Sequence, residues 1–362
     1  MRALSLVCLV LLGLAADAQG LLGDLRNQGT GFAQVIPGRT LEFPQDHSAH
    51  PDFRIEWWYL SANLTDREDR DWGLQWTLFR QALSPQQVDA GWQSNQIWMA
   101  HAAITTPDGH FYEQRFARGG IGQAGVTRIS GDGYFNAWID DWQWRSNGAA
   151  LFPAKLEFSI GEREIKLTLE ASGELVTNGV DGYSQKSAQG QASYYYSQPH
   201  IQVHGFVNQG SEKTYLNGKG WLDREWSSQA LADNQQGWDW FSLHLDDGYR
   251  LMIYQLRHDD GEHWLSGNWI DPYGNSTLLD SDAIDLNALR SREVETGENQ
   301  SRQLPMEWQL TLVRQNRRWR IRPLYDQQWM GTRFPYWEGV VLVEDGQGSR
   351  SGVGYMELTG YQ

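Results

Sequence analysis

Cysteine is almost missing from this chain. Cys8 is the only one in 362 residues, and it falls inside an apolar run that reads as a removable leader. The mature protein is therefore expected to have no disulfide, no thiolate nucleophile and no cysteine-based metal site. A basic surplus is missing too. The formal net charge is −15, which argues against nucleic acid and anionic lipid as partners. Long apolar stretches are confined to the start. Arg2, the run Leu4 to Leu14 broken only by Ser5 and Gly13, and the small-x-small site Ala16-Asp17-Ala18 predict a signal peptide over residues 1–18, cut after Ala18. That run is too short for a stable anchor, and nothing later would span a membrane. The expected location is the periplasm or the cell exterior.

Familiar catalytic and cofactor signatures are also lacking. Asp181-Gly182-Tyr183-Ser184-Gln185 lacks the second glycine of a nucleophile elbow. Gly346-Gln347-Gly348-Ser349 reads as a hairpin turn, since no helix follows to hold a phosphate. His200 and His204 share a strand face but stand roughly 13 Å apart, too far for one metal ion. No cofactor and no metal are expected.

What the chain has in excess is aromatic side chains: 19 Trp, 15 Tyr and 12 Phe. These bulky groups favour strands and serve either as barrel core or as the wall of an apolar ligand site. The hydrophobic period is two almost throughout. Leu156, Phe158 and Ile160 alternate, a turn follows at Gly161-Glu162-Arg163, and Ile165, Leu167 and Leu169 alternate back. Similar hairpins are predicted over Ala102 to Phe116, Arg250 to Trp269, and Trp308 to Ile321, with a further breaker at Asp271 to Asn275. No window has a helical period, although Gln229 to Gln236 could form a turn or short helix. The fold class is all-β, two antiparallel barrels packed together.

Two barrels are inferred because the chain half-repeats. Trp57-Trp58-Tyr59-Leu60 resembles Trp238-Asp239-Trp240-Phe241, and each is followed by a strand that reaches an arginine, Arg80 or Arg257. Val203-His204-Gly205-Phe206 and Leu358-Thr359-Gly360-Tyr361 are read as matching closures. The expected organisation is a lead-in over 19–45, one barrel over 46–209 and a second over 210–362, with the junction near Asn208 to Ser211. Residues 280–304 are expected to be a long surface connection or a small helix.

The densest candidate site is Gly220-Trp221-Leu222-Asp223-Arg224-Glu225-Trp226-Ser227-Ser228. Alternation puts Asp223 and Glu225 on one face and Arg224 with Leu222 and Trp226 on the other. Either the acids sit in an apolar cavity with shifted proton affinity, or the run is an ion pair closing the interface between barrels. Alternation also separates Tyr195 from Tyr194 and Tyr196. His101, on an otherwise apolar strand, and Glu338, among Tyr336 and Trp337, are the remaining candidate proton carriers. The candidate catalytic set is Asp223, Glu225, His101 and Glu338. The candidate ligand wall is Trp57, Tyr59, Tyr194, Tyr196, Trp221, Arg224, Trp226, Trp240, Tyr254, Tyr336 and Trp337.

These motifs resemble a known family. Phe43-Pro44-Gln45-Asp46-His47 with Glu56-Trp57-Trp58-Tyr59, Ala100-His101-Ala102, Tyr194-Tyr195-Tyr196-Ser197, Asp223-Arg224-Glu225-Trp226-Ser227-Ser228, Tyr336-Trp337-Glu338-Gly339 and Gly354 to Tyr361 occur in order over residues 40–362. Together they are similar to the carotenoid 1,2-hydratase / AttH family of lipocalin-like proteins. The resemblance implies two lipocalin-like barrels. It also implies either hydration of an isoprenoid double bond or, for an exported branch encoded beside ABC transporter permeases, an accessory role in transport. Members labelled secreted hydrolases exist, but no nucleophile supports that activity here. The family's hydratases are thought to use a His in the tryptophan-containing motif, where this chain has Arg224, a poor proton donor. That tilts the reading towards an exported protein binding an apolar small molecule, with an ABC transporter permease as partner. A hydratase- or cyclase-type lyase acting on an isoprenoid or polyketide, and a ligand-free structural partner of a membrane complex, are the alternatives.

Overall fold

The computed structural model describes residues 29–86, 88, 91–129, 133–229, 231–297 and 300–361. The leader expected over 1–18 lies outside the described residues. Alternation is realised as two antiparallel sheets of thirteen and ten strands, the first nearly closed into a barrel. In the first sheet the strands Ile55–Thr65, Asp71–Ala82, Gln96–Thr106 and Gly109–Arg118 form a meander. On its other edge Ile55–Thr65 pairs with Glu212–Ser227. That strand pairs with Ala192–Gln209, and the sheet continues through Arg163–Ala171, Ala154–Ile160 and Trp142–Ser146.

The second sheet repeats this order. Its meander is Gln235–Leu245, Arg250–His258, His263–Ile270 and Ser276–Leu279. The first of these pairs with the last strand, Arg350–Thr359, which leads on to Tyr336–Glu344, Arg317–Pro323, Gln300–Leu312 and Ile284–Gly297. Both sheets therefore join the first strand of a meander to the closing strand of the same repeat.

This topology corrects three expectations. The strand Glu212–Ser227 belongs to the first sheet, so the change of sheet falls between Ser227 and Gln235 and not near residue 210. Gln209 pairs with Glu212, and Gly210 has φ +61°, so the breaker-rich Asn208 to Ser211 stretch is a tight hairpin turn. The counterpart of the closing strand is accordingly Glu212–Ser227, and Val203 to Phe206 is not its match. Finally, the expected connection over 280–304 is instead a single 3₁₀ turn, Ser281–Ala283, capped by the Asp280 side chain, followed by the strand Ile284–Gly297, which pairs antiparallel with Gln300–Leu312.

The period-two pattern divides each strand between two environments. In the first barrel Trp58, Leu60, Trp76, Trp144, Leu222, Trp226, Tyr194 and Tyr196 point inward and fill the interior. The second barrel is filled by Phe241, Leu243, Trp308, Trp319, Trp337 and Met356 among others. Between the sheets lies a third apolar cluster containing Tyr59, Tyr195, Trp221, Trp240, Tyr254, Val340 and Tyr355. The sheets approach closely at Gly73, where an added Cβ would lie 2.2 Å from Val340 Cγ2. Asn63 donates to the Gly354 carbonyl at 2.9 Å, and Asp71 pairs with Arg350 at 2.9 Å across the same interface.

Candidate cavity between the two barrels

A cavity of about 580 Å³ lies between the sheets and takes residues from both repeats. That volume is within the range of small-molecule sites. Trp57, Phe79, Met99, Tyr195, Trp240, Tyr254 and Leu256 supply apolar wall, and Asp223, Glu225, Glu357, Lys186 and His101 supply polar groups.

Strand register explains how these groups meet. Residues directly opposite across antiparallel strands share a face. In the first sheet His101 is opposite Thr77, Thr77 opposite Tyr59, Tyr59 opposite Asp223, and Asp223 opposite Ser197. In the second sheet Glu338 is opposite Glu357, Glu357 opposite Trp240, and Trp240 opposite Tyr254. The two rows pack together, with the Tyr59 and Trp240 rings edge to face at 5.1 Å. Tyr59 and Trp240 occupy matching places in the repeated aromatic motif. Their cross-strand partners, Asp223 and Glu357, are thus equivalent positions of the two repeats, brought to one interface.

Both acids are buried and have unusual proton affinity. Asp223 accepts from Trp221 Nε1 at 2.7 Å and from the Tyr195 and Ser197 hydroxyls at 2.5 Å each. Burial lifts its carboxyl to about 7 even though those hydrogen bonds pull the other way, and the neighbouring Glu225 adds to the rise. Glu357 accepts through one oxygen from Trp238 Nε1 at 2.7 Å and from the Thr359 hydroxyl at 2.9 Å. Burial lifts it to about 7 as well, and the charges of Asp223 and Glu225 contribute in the same direction. Glu338 is raised well above the ordinary range by burial and then by Glu357. Glu225 differs, because it is paired with Lys186 Nζ at 2.9 Å and bonded to the Ser193 hydroxyl. Lys186 lies 4.1 Å from the centre of the Tyr254 ring. Burial opposes its charge, but the Glu225 carboxylate keeps it protonated.

Arg224 does something else. It points into the first barrel, 3.7 Å over the Trp58 ring, and donates to Glu56 at 2.5 Å. Arg80 bonds the other oxygen of Glu56. Burial works against an ionised Glu56, but the two guanidiniums hold it well below the usual carboxylate range. His50 stacks on Trp226 at 4.0 Å and bonds Glu56 at 3.1 Å. This is a buried ion network inside one barrel. It does not close the barrel interface, and it lies on the opposite face from Asp223. The presence of Arg224 therefore says nothing about the proton donors of the cavity.

Among the residues singled out from sequence, Trp57, Tyr59, Trp240, Tyr254, Tyr336, His101, Asp223 and Glu225 line the cavity. Trp221 stands behind it and holds Asp223, and Glu338 is buried beside Tyr59 and Tyr336. Tyr194, Tyr196, Arg224 and Trp226 are corrected to first-barrel core, and Trp337 to second-barrel core, since alternation turns them away from the cavity. Sequence reasoning missed Glu357, Lys186 and Tyr195. Aligning Glu212–Ser227 with Arg350–Thr359 would have found Glu357.

Comparison with known proteins agrees with this architecture. A model of the AttH-like family matches residues 34–361. The crystal structure of an AttH-type protein from Nitrosomonas europaea is 34% identical, with a TM-score of 0.78, and the match covers 91% of this chain and 100% of that one. Kievitone hydratase from Nectria haematococca, at 14% identity and a TM-score of 0.65, shares the fold over 91% of this chain and 96% of its own. A search of curated proteins gives no match. With the family model spanning both barrels, the chain belongs to the AttH-like family.

Proposed function

We propose that the protein is an acid–base lyase of the hydratase type, acting on an apolar, unsaturated small molecule held between its two barrels. One observation carries the reading: two buried carboxyls from equivalent positions, Asp223 and Glu357, line one aromatic cavity, each with proton affinity near neutrality. Two acids that repel each other in an apolar site favour the state in which one is protonated and one ionised. That is the combination an addition of water requires.

The chemistry follows from this state. The protonated carboxyl gives its proton to one carbon of a C=C bond. The π electrons form the new C–H bond and leave a cation on the other carbon. Water bonds to that carbon through oxygen, and the ionised carboxyl takes the proton that water releases. Proton exchange then restores the pair. Faces of Trp57 and Trp240 can stabilise the cation, and the apolar wall limits competing water. Kievitone hydratase, the structural neighbour from Nectria haematococca, is named for the same class of reaction, and the likeness to it is one of fold alone.

Incubation with isoprenoid alkenes in ¹⁸O-labelled water, followed by mass spectrometry, tests the reading. Wild-type protein should give labelled tertiary alcohols, and Asp223→Asn and Glu357→Gln should not. Binding without any labelled product, in every alkene tried, would instead favour the carrier reading, in which an exported protein hands an apolar ligand to an ABC transporter permease. The extracytoplasmic location rests on the leader over residues 1–18. It is tested by the N-terminal sequence of protein recovered from its host, which should begin after Ala18.

A further inference from the structure

We propose that the substrate carries a hydroxyl group that donates a hydrogen bond to Glu225 Oε2, a few bonds away from the carbon that receives the proton. This rests on the reading of the cavity as a substrate site. It adds a polar group that the substrate must have, and where that group stands.

Glu225 lines the cavity, and its side chain keeps 9% of its surface open. Trp57 and Tyr195 are directly opposite it on the two neighbouring strands, so it faces out between aromatic side chains. Its protein donors share one oxygen. Lys186 Nζ at 2.9 Å and the Ser193 hydroxyl both go to Oε1. Oε2 has no donor among the described residues, yet it is not enclosed. Both oxygens of Glu338, by contrast, are unpartnered with almost no accessible surface.

An open acceptor in an aromatic wall selects a donor. Charge decides which kind. Lys186 lines the same cavity and already balances the Glu225 carboxylate. An ammonium ligand would bring a second cation next to a neutral pair, with Lys186 close enough to repel it. A hydroxyl supplies the hydrogen without the charge, and a bond to an ionised acceptor is stronger than one between neutral groups. A ligand that covered Oε2 without a donor would strip it of solvent and leave it unpaired.

The strand sets the spacing. Asp223 and Glu225 are two residues apart on Glu212–Ser227 and share its cavity face, roughly 7 Å from one to the next at about 3.3 Å per residue. The hydroxyl and the reacting double bond therefore belong to one short segment of the ligand, lying along the strand.

The test uses three saturated probes: 1-octanol, its methyl ether, and octylammonium. Dissociation constants are read from tryptophan fluorescence at pH 6, below the value of about 7 of both Asp223 and Glu357, so that neither carboxyl adds a competing charge. Wild-type protein should bind the alcohol at least about tenfold more tightly than the ether, the effect of one buried bond to a charged acceptor. It should bind the ammonium more weakly than the alcohol. Glu225→Gln should abolish the preference for alcohol over ether. Lys186 and Ser193 hold the amide oxygen at the Oε1 position, which puts an N–H donor where Oε2 stood, and alcohol and ether satisfy that donor alike. Glu357→Gln should keep the preference. Equal binding of alcohol and ether, tighter binding of the ammonium, or no binding of the alcohol would each overturn the assignment in wild-type protein, with no variant required to fold. So would a preference that survives Glu225→Gln or disappears in Glu357→Gln. Failure of this inference is distinguishable from failure of the lyase reading. Hydration of an alkene without preference for octanol removes only the Glu225 contact. Preference for octanol with no hydration of any alkene removes only the lyase.

Discussion

Glu357→Gln should make the protein more stable at neutral pH while abolishing its proposed activity. The glutamate carboxyl has an ordinary value of 4.5 and is held at about 7 in the folded protein. The sign follows from proton counting. Between these two values the unfolded chain has lost a proton that the native chain keeps, so stability falls as pH rises through this window. At about 1.4 kcal/mol per tenfold change in proton affinity, the full loss is about 3 kcal/mol above pH 7 and vanishes below about pH 4.5. Glutamine avoids that loss and keeps the packing. Both donors to Glu357, Trp238 Nε1 and the Thr359 hydroxyl, use the same carboxylate oxygen, which the amide oxygen can replace. Urea unfolding at pH 8 and at pH 4 measures the difference. With a slope of roughly 3 kcal/mol per molar, the midpoint should move up by about 1 M at pH 8 and hardly at all at pH 4. A variant no more stable than wild type at pH 8, or equally stabilised at both pH values, would refute the argument that burial raises this carboxyl.

Three further outcomes are expected. Glu56→Gln removes the charge between the buried Arg80 and Arg224 guanidiniums; two unpaired cations should lower stability by about 3–5 kcal/mol in urea unfolding. Trp226→Leu and Trp57→Ala separate core from wall: the first, in a filled barrel, should cost about 3 kcal/mol and leave ligand affinity unchanged, while the second should weaken binding of an isoprenoid alkene with a smaller loss of stability. Turnover, where it is measured, should have a bell-shaped pH profile with its maximum near 7, because only the singly protonated Asp223–Glu357 pair has both a donor and an acceptor.

Alternation along single strands was readable from sequence, and it was enough to set Asp223 and Glu225 apart from Arg224, and Tyr195 apart from Tyr194 and Tyr196. The hairpins over 154–171, 96–118 and 250–270 follow the same period. What the period cannot say is which of two apolar faces is closed on itself and which meets another sheet. Trp226 and Trp240 look alike in sequence. One lies in a filled barrel because its strand curls towards Trp58 and Trp144, and the other faces a cavity because a second sheet stands opposite. The position of the junction was hidden for a related reason. Gly210 and its neighbours have linker composition, yet they make a turn between paired strands whose side chains continue one barrel. Glu357 escaped notice because its strand was matched with the wrong partner.

The place of the acids follows from the duplication. A barrel interior must be filled by its own repeat, and here each is filled mainly with aromatic and aliphatic side chains, with buried carboxyls paired to arginines: Glu56 with Arg80 and Arg224 in the first barrel, and Asp239 with Arg257 in the second. Only the surface between sheets receives one copy of each position from both repeats. An acid opposite the central aromatic residue of the meander thus appears twice in the same space, once as Asp223 opposite Tyr59 and once as Glu357 opposite Trp240. Burial raises the proton affinity of both copies, and the charge of Asp223 raises that of Glu357 further. Removing the charge of Asp223 should therefore ease ionisation of Glu357. In the Asp223→Asn protein the remaining Glu357 should titrate below about 7, and carboxyl infrared bands followed against pH would reveal the change. A Glu357 that titrates unchanged would mean that the two positions do not act as a pair, and the proposed exchange of roles during hydration would fail with it.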